Sequence, residues 1–308
     1  MKSLLAMPLA MGAAIALGAP ALAEDDASTA VEASAATEAA SMTGEPALWK
    51  VADEDTTIYL FGTVHALPKE VQWMDEDIST ALAASQTLIT EVDMAEMAGP
   101  KMVQIIQSTA VLPEGTTLRS LLDEEQTKTY EAAMQQLQVP AAAFDQFEPW
   151  YAGMMLTMLP LIQQGYTPDA GVEEVLLKAA GNIEKDALET VEFQLGMFDT
   201  LEQEHQIEFL LASAEGVGTI KATLDAMVGE WLEGDADGLA ALMNESLDDE
   251  VLAESLLYMR NRNWADWIEA RLDAPGTVFM AVGAGHLAGE NSVQDYLQQR
   301  GMEVSRIQ

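Results

Sequence analysis

Histidine can move a proton or hold a metal ion near neutral pH, because its neutral imidazole offers a lone pair there. The chain has three histidines in 308 residues. Two of them stand in matching surroundings. Ile58-Tyr59-Leu60-Phe61-Gly62-Thr63-Val64-His65 and Val278-Phe279-Met280-Ala281-Val282-Gly283-Ala284-Gly285-His286 are both apolar β-type runs. Each breaks at a glycine and reaches a histidine three residues later. Gly-x-x-His alone is a weak motif, and a lone histidine is more often an ordinary surface or core residue. Its placement after an apolar run, twice, is the informative part. Such a run predicts a strand feeding a tight loop. In open α/β sheets, ligands bind just beyond the carboxyl ends of the strands. If both strands lie in one sheet and point the same way, His65 and His286 meet at one edge.

Two histidines and a carboxylate, with positions left for water, match the plan of an open catalytic metal site. A metal held there polarises a carbonyl and makes its bound water acidic enough to attack near neutral pH. Glu91 is the leading acid, because it ends the otherwise apolar run 87–92. Asp93 ranks second, on the same face if the strand alternates, and Glu189 third. Arg260 and Arg262 form a pair in a chain with only 14 basic residues. They suit a substrate carboxylate or an oxyanion, or they neutralise nearby acids. His205, in Glu202-Gln203-Glu204-His205-Gln206, reads as part of a solvated helix face. Met154-Met155-Leu156-Thr157-Met158-Leu159 reads as core ahead of an apolar substrate groove.

These residues need elements to carry them. Residues 47–52 and 57–61 read as a hairpin turning at Asp53-Glu54-Asp55. A helix over 75–85 and a strand over 87–92 follow. This β-loop-α-β order predicts strand 87–92 as a parallel neighbour of the His65 strand. From about 100 to 272 the chain reads mainly as helix. Asp123 and Gln126 stand at capping-box spacing, a short strand is expected at 187–191, and a continuous helix over 249–271. Strand 277–282, a helix over 290–300 and a last strand over 302–307 return to the sheet. The fold class is α/β, a central mixed sheet with a large α-helical insertion.

The formal net charge of −37 argues against nucleic acid and anionic membrane surfaces as partners. The absence of cysteine excludes disulfides, thiolate catalysis and cysteine-held metals. The chain carries no His-Glu-x-x-His helix, Walker loop, Gly-x-Ser-x-Gly elbow or dinucleotide fingerprint. Lys2, the apolar run 4–17 and Ala21-Leu22-Ala23 read as a secretory signal, cleaved near Ala23. That predicts export, to the periplasm or beyond, with no stable membrane insertion. Residues 24–45 read as a disordered acidic spacer, with the globular domain over 46–308.

Pro46-Ala47-Leu48-Trp49-Lys50-Val51, Phe61-Gly62-Thr63-Val64-His65-Ala66-Leu67-Pro68 and Val282-Gly283-Ala284-Gly285-His286-Leu287-Ala288-Gly289 resemble the TraB/GumN family. It takes in GumN-like exported proteins, PrgY and the animal Tiki proteins. Leu188-Glu189-Thr190, Gln194 and Arg260-Asn261-Arg262-Asn263-Trp264 also resemble family positions, while Gly171-Val172-Glu173 stands where Gly-x-Asp is expected. The resemblance implies a fold similar to the erythromycin esterases and ChaN-like proteins. Through the Tiki members it implies an exported metal-dependent hydrolase, a peptidase with a peptide or protein substrate. His65, Glu91 and His286 would hold a divalent ion (Mn, Co or Zn), with Arg260 or Arg262 in support. Non-catalytic sequestration of a peptide or a haem-like ligand in the same cleft is the rival expectation.

Overall fold

The structure is a computed structural model that describes residues 42–97, 99–244 and 250–308. The expected signal segment and most of the expected spacer lie outside the described residues. The last of that spacer is bound to the domain: Gly44 N–H donates to Gln72 O and Glu45 N–H to Leu232 O. The ordered chain therefore begins before Pro46.

Eight strands form two sheets: β1 Leu48–Ala52, β2 Thr56–Thr63, β3 Leu67–Pro68, β4 Thr87–Thr90, β5 Tyr166–Thr167, β6 Glu184–Ala187, β7 Gly276–Gly283 and β8 Val304–Arg306. β3 and β5 pair by themselves. The other six make one mixed sheet in the order β6-β4-β7-β2-β1-β8. β6, β4, β7 and β2 run parallel, and β1 is antiparallel to both β2 and β8. The β1–β2 hairpin turns where expected, with Asp53 Oδ1 accepting from the Asp55 and Thr56 amides.

Strand β4 does not neighbour β2. β7 lies between them, paired to both. The reason lies in its composition: residues 278–282 are buried on both faces, as a strand covered by helices on both sides must be. β6 carries exposed Glu184, Lys185 and Asp186, which suits a charged sheet edge. It also ends earlier than the strand expected at 187–191. Thr190 instead caps the helix Val191–Asp199, its side chain accepting from Phe193 N–H.

Side chains alternate cleanly across the sheet. Phe61, Leu88, Phe279 and Ala281 share a core with the helices Glu76–Ala84, Val172–Ala180 and Ile220–Leu232. Ile58, Leu60, Ile89, Val278, Met280 and Val282 share another with Trp264, Ala265 and Ile268 of the helix Met259–Leu272 and with Leu297. The expected helical insertion is real but interrupted, because β6 returns to the main sheet within it. The helix Pro149–Gln163 packs on Gln203–Gly216. Its Met154, Met155 and Leu156 are buried core. The capping box at Asp123 and Gln126 forms as expected. Residues 249–271 do not form one regular helix: the helix Glu250–Ala253 passes through a π turn, Glu254–Tyr258, into Met259–Leu272.

Candidate functional site

The parallel register sets Thr63 beside Gly283 and Thr90 beside Ala281 and Ala187. The exits of β2, β7, β4 and β6 therefore lie along one sheet edge, and they carry His65, His286, Glu91 and Glu189. The two glycine exits touch: a Cβ on Gly62 would lie 3.0 Å from Ala284 Cα. This close approach lets the two histidine loops share the edge.

His65 sits against the start of the helix Val172–Ala180. Val172 N–H donates to Val64 O at 3.0 Å. Gly171 packs so tightly on the loop that a Cβ there would lie 2.1 Å from His65 O. This docking brings Glu173 to the imidazole, with Glu173 Oε1 2.6 Å from His65 Nδ1. Thr63 Oγ1 donates to the same oxygen. His65 Nε2 is buried and meets no protein hydrogen-bond partner; among the described residues it is the only such atom in a titratable side chain. Burial alone lowers the His65 pKa. The charge and hydrogen bond of Glu173, with a push from Glu91, outweigh burial and the opposing Arg260, so the pKa is raised above 6.5.

His286 is held differently. Arg260 Nη1 lies 3.0 Å from His286 Nε2. A guanidinium only donates, so Nε2 must accept. That leaves the ring proton on Nδ1, which donates to Asn261 Oδ1 at 2.5 Å. Trp264 covers the ring, with centroids 4.3 Å apart.

Arg260 is buried and ties the edge together. Its Nη2 donates to Glu91 Oε2 at 2.6 Å and to Glu189 Oε2 at 2.8 Å, and its Nε to Glu189 Oε1 at 2.9 Å. Gln194 Nε2 bridges Glu91 and Glu189, 2.9 Å from each. Gly283 N–H donates to Glu91 Oε1 at 2.6 Å. Burial pushes the Glu91 carboxyl up, but Arg260, the neighbouring imidazoles and the Gly283 amide hold it down at about 2.

Of the residues predicted, His65, Glu91, His286 and Arg260 are gathered at this edge, and Glu189 matters more than its third rank. Asp93 is not in the network. It is exposed and caps the next turn, accepting from Ala95 N–H, because β4 ends at Thr90 and the alternation stops there. Arg262 points away and pairs with Glu254. Of the two roles weighed for Arg260, it takes the neutralising one. His205 lies in the first turn of the helix Gln203–Gly216 and joins none of these bonds. Glu173 and Asn261 had signals in the sequence, in Gly171-Val172-Glu173 and in Arg260-Asn261-Arg262-Asn263-Trp264. Nothing local assigned either to a particular histidine.

The implied metal set does not fit as arranged. A guanidinium donates to His286 Nε2, and both Glu91 oxygens accept from other groups. A cation bound by these atoms would meet the Arg260 charge. Among the described residues no three His, Cys, Asp or Glu side chains converge as a set for a metal ion.

An α/β sheet with paired strand-Gly-x-x-His exits and a buried Arg–Glu network defines the class. The chain belongs to the TraB/PrgY/gumN family, whose pattern it matches over residues 47–306. It is similar to the uncharacterized protein YbaP of Escherichia coli strain K12, 23% identical over 265 residues, covering 84% of this chain and 96% of that one. YbaP of Shigella flexneri matches to the same extent. No solved structure matches. Among the described residues no helix is long and apolar enough to cross a membrane.

Proposed function

We propose that the chain is an exported hydrolase acting on peptides or proteins, with His65 as its general base. The observation that carries this reading is the state of the His65 ring. Nδ1 is anchored by a buried carboxylate, while Nε2 is left without a protein partner. An unmet buried polar atom costs about 1–3 kcal/mol, and such a cost is retained where the atom has work to do.

The chemistry follows the base-plus-orienter plan of hydrolytic triads. Glu173 holds the ring with its proton on Nδ1 and Nε2 free to accept. Nε2 takes a proton from water as the water oxygen bonds to the substrate carbonyl carbon. Glu173 stabilises the resulting imidazolium. Nε2 then returns the proton to the leaving nitrogen as the C–N bond breaks. Glu91, Glu189 and Arg260 form a fixed polar wall beside this event. Peptide as the substrate class rests on the family resemblance.

The test joins peptide hydrolysis to metal analysis of protein purified without chelator. His65→Ala is expected to lower kcat by about 10²–10⁴-fold, the usual worth of a general base, with no divalent ion in stoichiometric amount. Near one Mn, Co or Zn per chain, lost in His65→Ala, would replace His65-activated water by metal-activated water. Hydrolysis undiminished in His65→Ala would sink both forms of the reading.

A further inference from the structure

The π turn at Glu254–Tyr258 stands directly before Arg260. Its diagnostic bond is present, with Met259 N–H donating to Glu254 O, five residues back. Single π turns inside α-helices accommodate one extra residue and are frequent at functional positions. One residue of a helix corresponds to about 100° of rotation, so this insertion changes which way everything beyond it faces.

The helix has different partners on the two sides of the turn. Leu252 and Leu256 are buried in the helical layer with Met97, Met102 and Trp150. Trp264, Ala265 and Ile268 are buried on the sheet. Between these cores, at the carboxyl edge of the sheet, Arg260 reaches Glu91 and Glu189, Asn261 reaches His286, and Trp264 Nε1 donates to Glu189 at 3.0 Å. Arg260 Nη1 also donates back to Leu256 O, at 3.1 Å, within the turn. A regular α-helix through 250–272 would satisfy one core and turn the other set aside.

We infer that this π turn is the positioning device of the site. Its extra residue places Arg260, Asn261 and Trp264 on the carboxylates and on His286 while Leu252 and Leu256 stay in the helical core. The register of these side chains is set in this way whether or not His65 drives hydrolysis.

The readout is therefore the His286 ring and not turnover. With three histidines in the chain, nitrogen-correlated NMR of the imidazoles separates their signals. His286 is expected to show a single fixed tautomer, protonated on Nδ1. Deleting Ser255 removes the extra residue and is expected to abolish that fixed pattern. The same deletion compensated by one alanine inserted after Tyr258 is expected to restore it, and Ser255→Ala to leave it untouched. A folded deletion variant that keeps the wild-type pattern overturns the inference. If the deletion prevents folding, the compensated variant decides: a restored pattern supports the device, and a lost pattern with native secondary structure overturns it.

Discussion

Arg260 and its two carboxylates are the residues on which most depends. All three are in or at the edge of the core, and removing one partner of such a set leaves uncompensated charge behind. Arg260→Met is expected to cost about 3–5 kcal/mol of stability, read from urea unfolding. Glu91 adds a pH signature. Its folded pKa is depressed from 4.5 to about 2, so its stabilising contribution is complete above pH 4.5 and is lost as pH falls through about 2. Glu91→Gln should flatten the stability profile in that window. The sign reverses for His65, whose folded pKa is raised above 6.5. Its pairing with Glu173 stabilises fully below pH 6.5 and fades as pH rises through the folded value. The base form needed for catalysis grows over the same rise. Glu173→Gln should move the His65 midpoint downward in an NMR titration, carrying the acid limb of any pH–rate profile with it.

At the scale of elements, the site depends on how closely separate pieces of backbone approach. The helix Val172–Ala180 delivers Glu173 only because Gly171 lies flat on the His65 loop, where a methyl group would meet His65 O at 2.1 Å. Gly171→Ala has to push the loop away. A cost of about 1–3 kcal/mol is expected, as for other overpacked substitutions, together with a changed His65 titration midpoint because the 2.6 Å contact to Glu173 opens. A drop in melting temperature with an unaltered midpoint would show that Glu173 reaches His65 independently of this packing.

Across the whole molecule the excess of negative charge weighs most. With 51 acidic against 14 basic residues, self-repulsion opposes the compact state. Raising ionic strength to physiological levels shortens the screening length to about 8 Å, so the melting temperature should climb with salt. The buried Arg260 network is shielded from that screening and should hold its pKa values while surface pairs such as Lys128–Glu124 weaken. Flat stability between low and physiological salt would mean that repulsion is already balanced.

The strands and their exits are legible along the chain without any structure. Two apolar runs closed by Gly-x-x-His, and a third closed by Glu91, show themselves because alternation and glycine breaks are properties of neighbouring residues. The cap at Asp123 was legible for the same reason. Which strand lies beside which was not, because β4 and β2 both accept a parallel neighbour and only two-sided burial places β7 between them. The ranking of acids failed likewise: Glu189 and Asp93 look alike along the chain, and they differ in whether Arg260, 71 residues beyond Glu189, arrives to meet the carboxylate. The two histidines that read as equivalent were separated by the same long-range packing. Glu173 takes one and leaves its Nε2 open, while Arg260 and Asn261 engage the other at both ring nitrogens. Local pattern sets where a side chain leaves its strand; the folded molecule alone decides what it meets there, because those partners come from chain segments that only folding brings together.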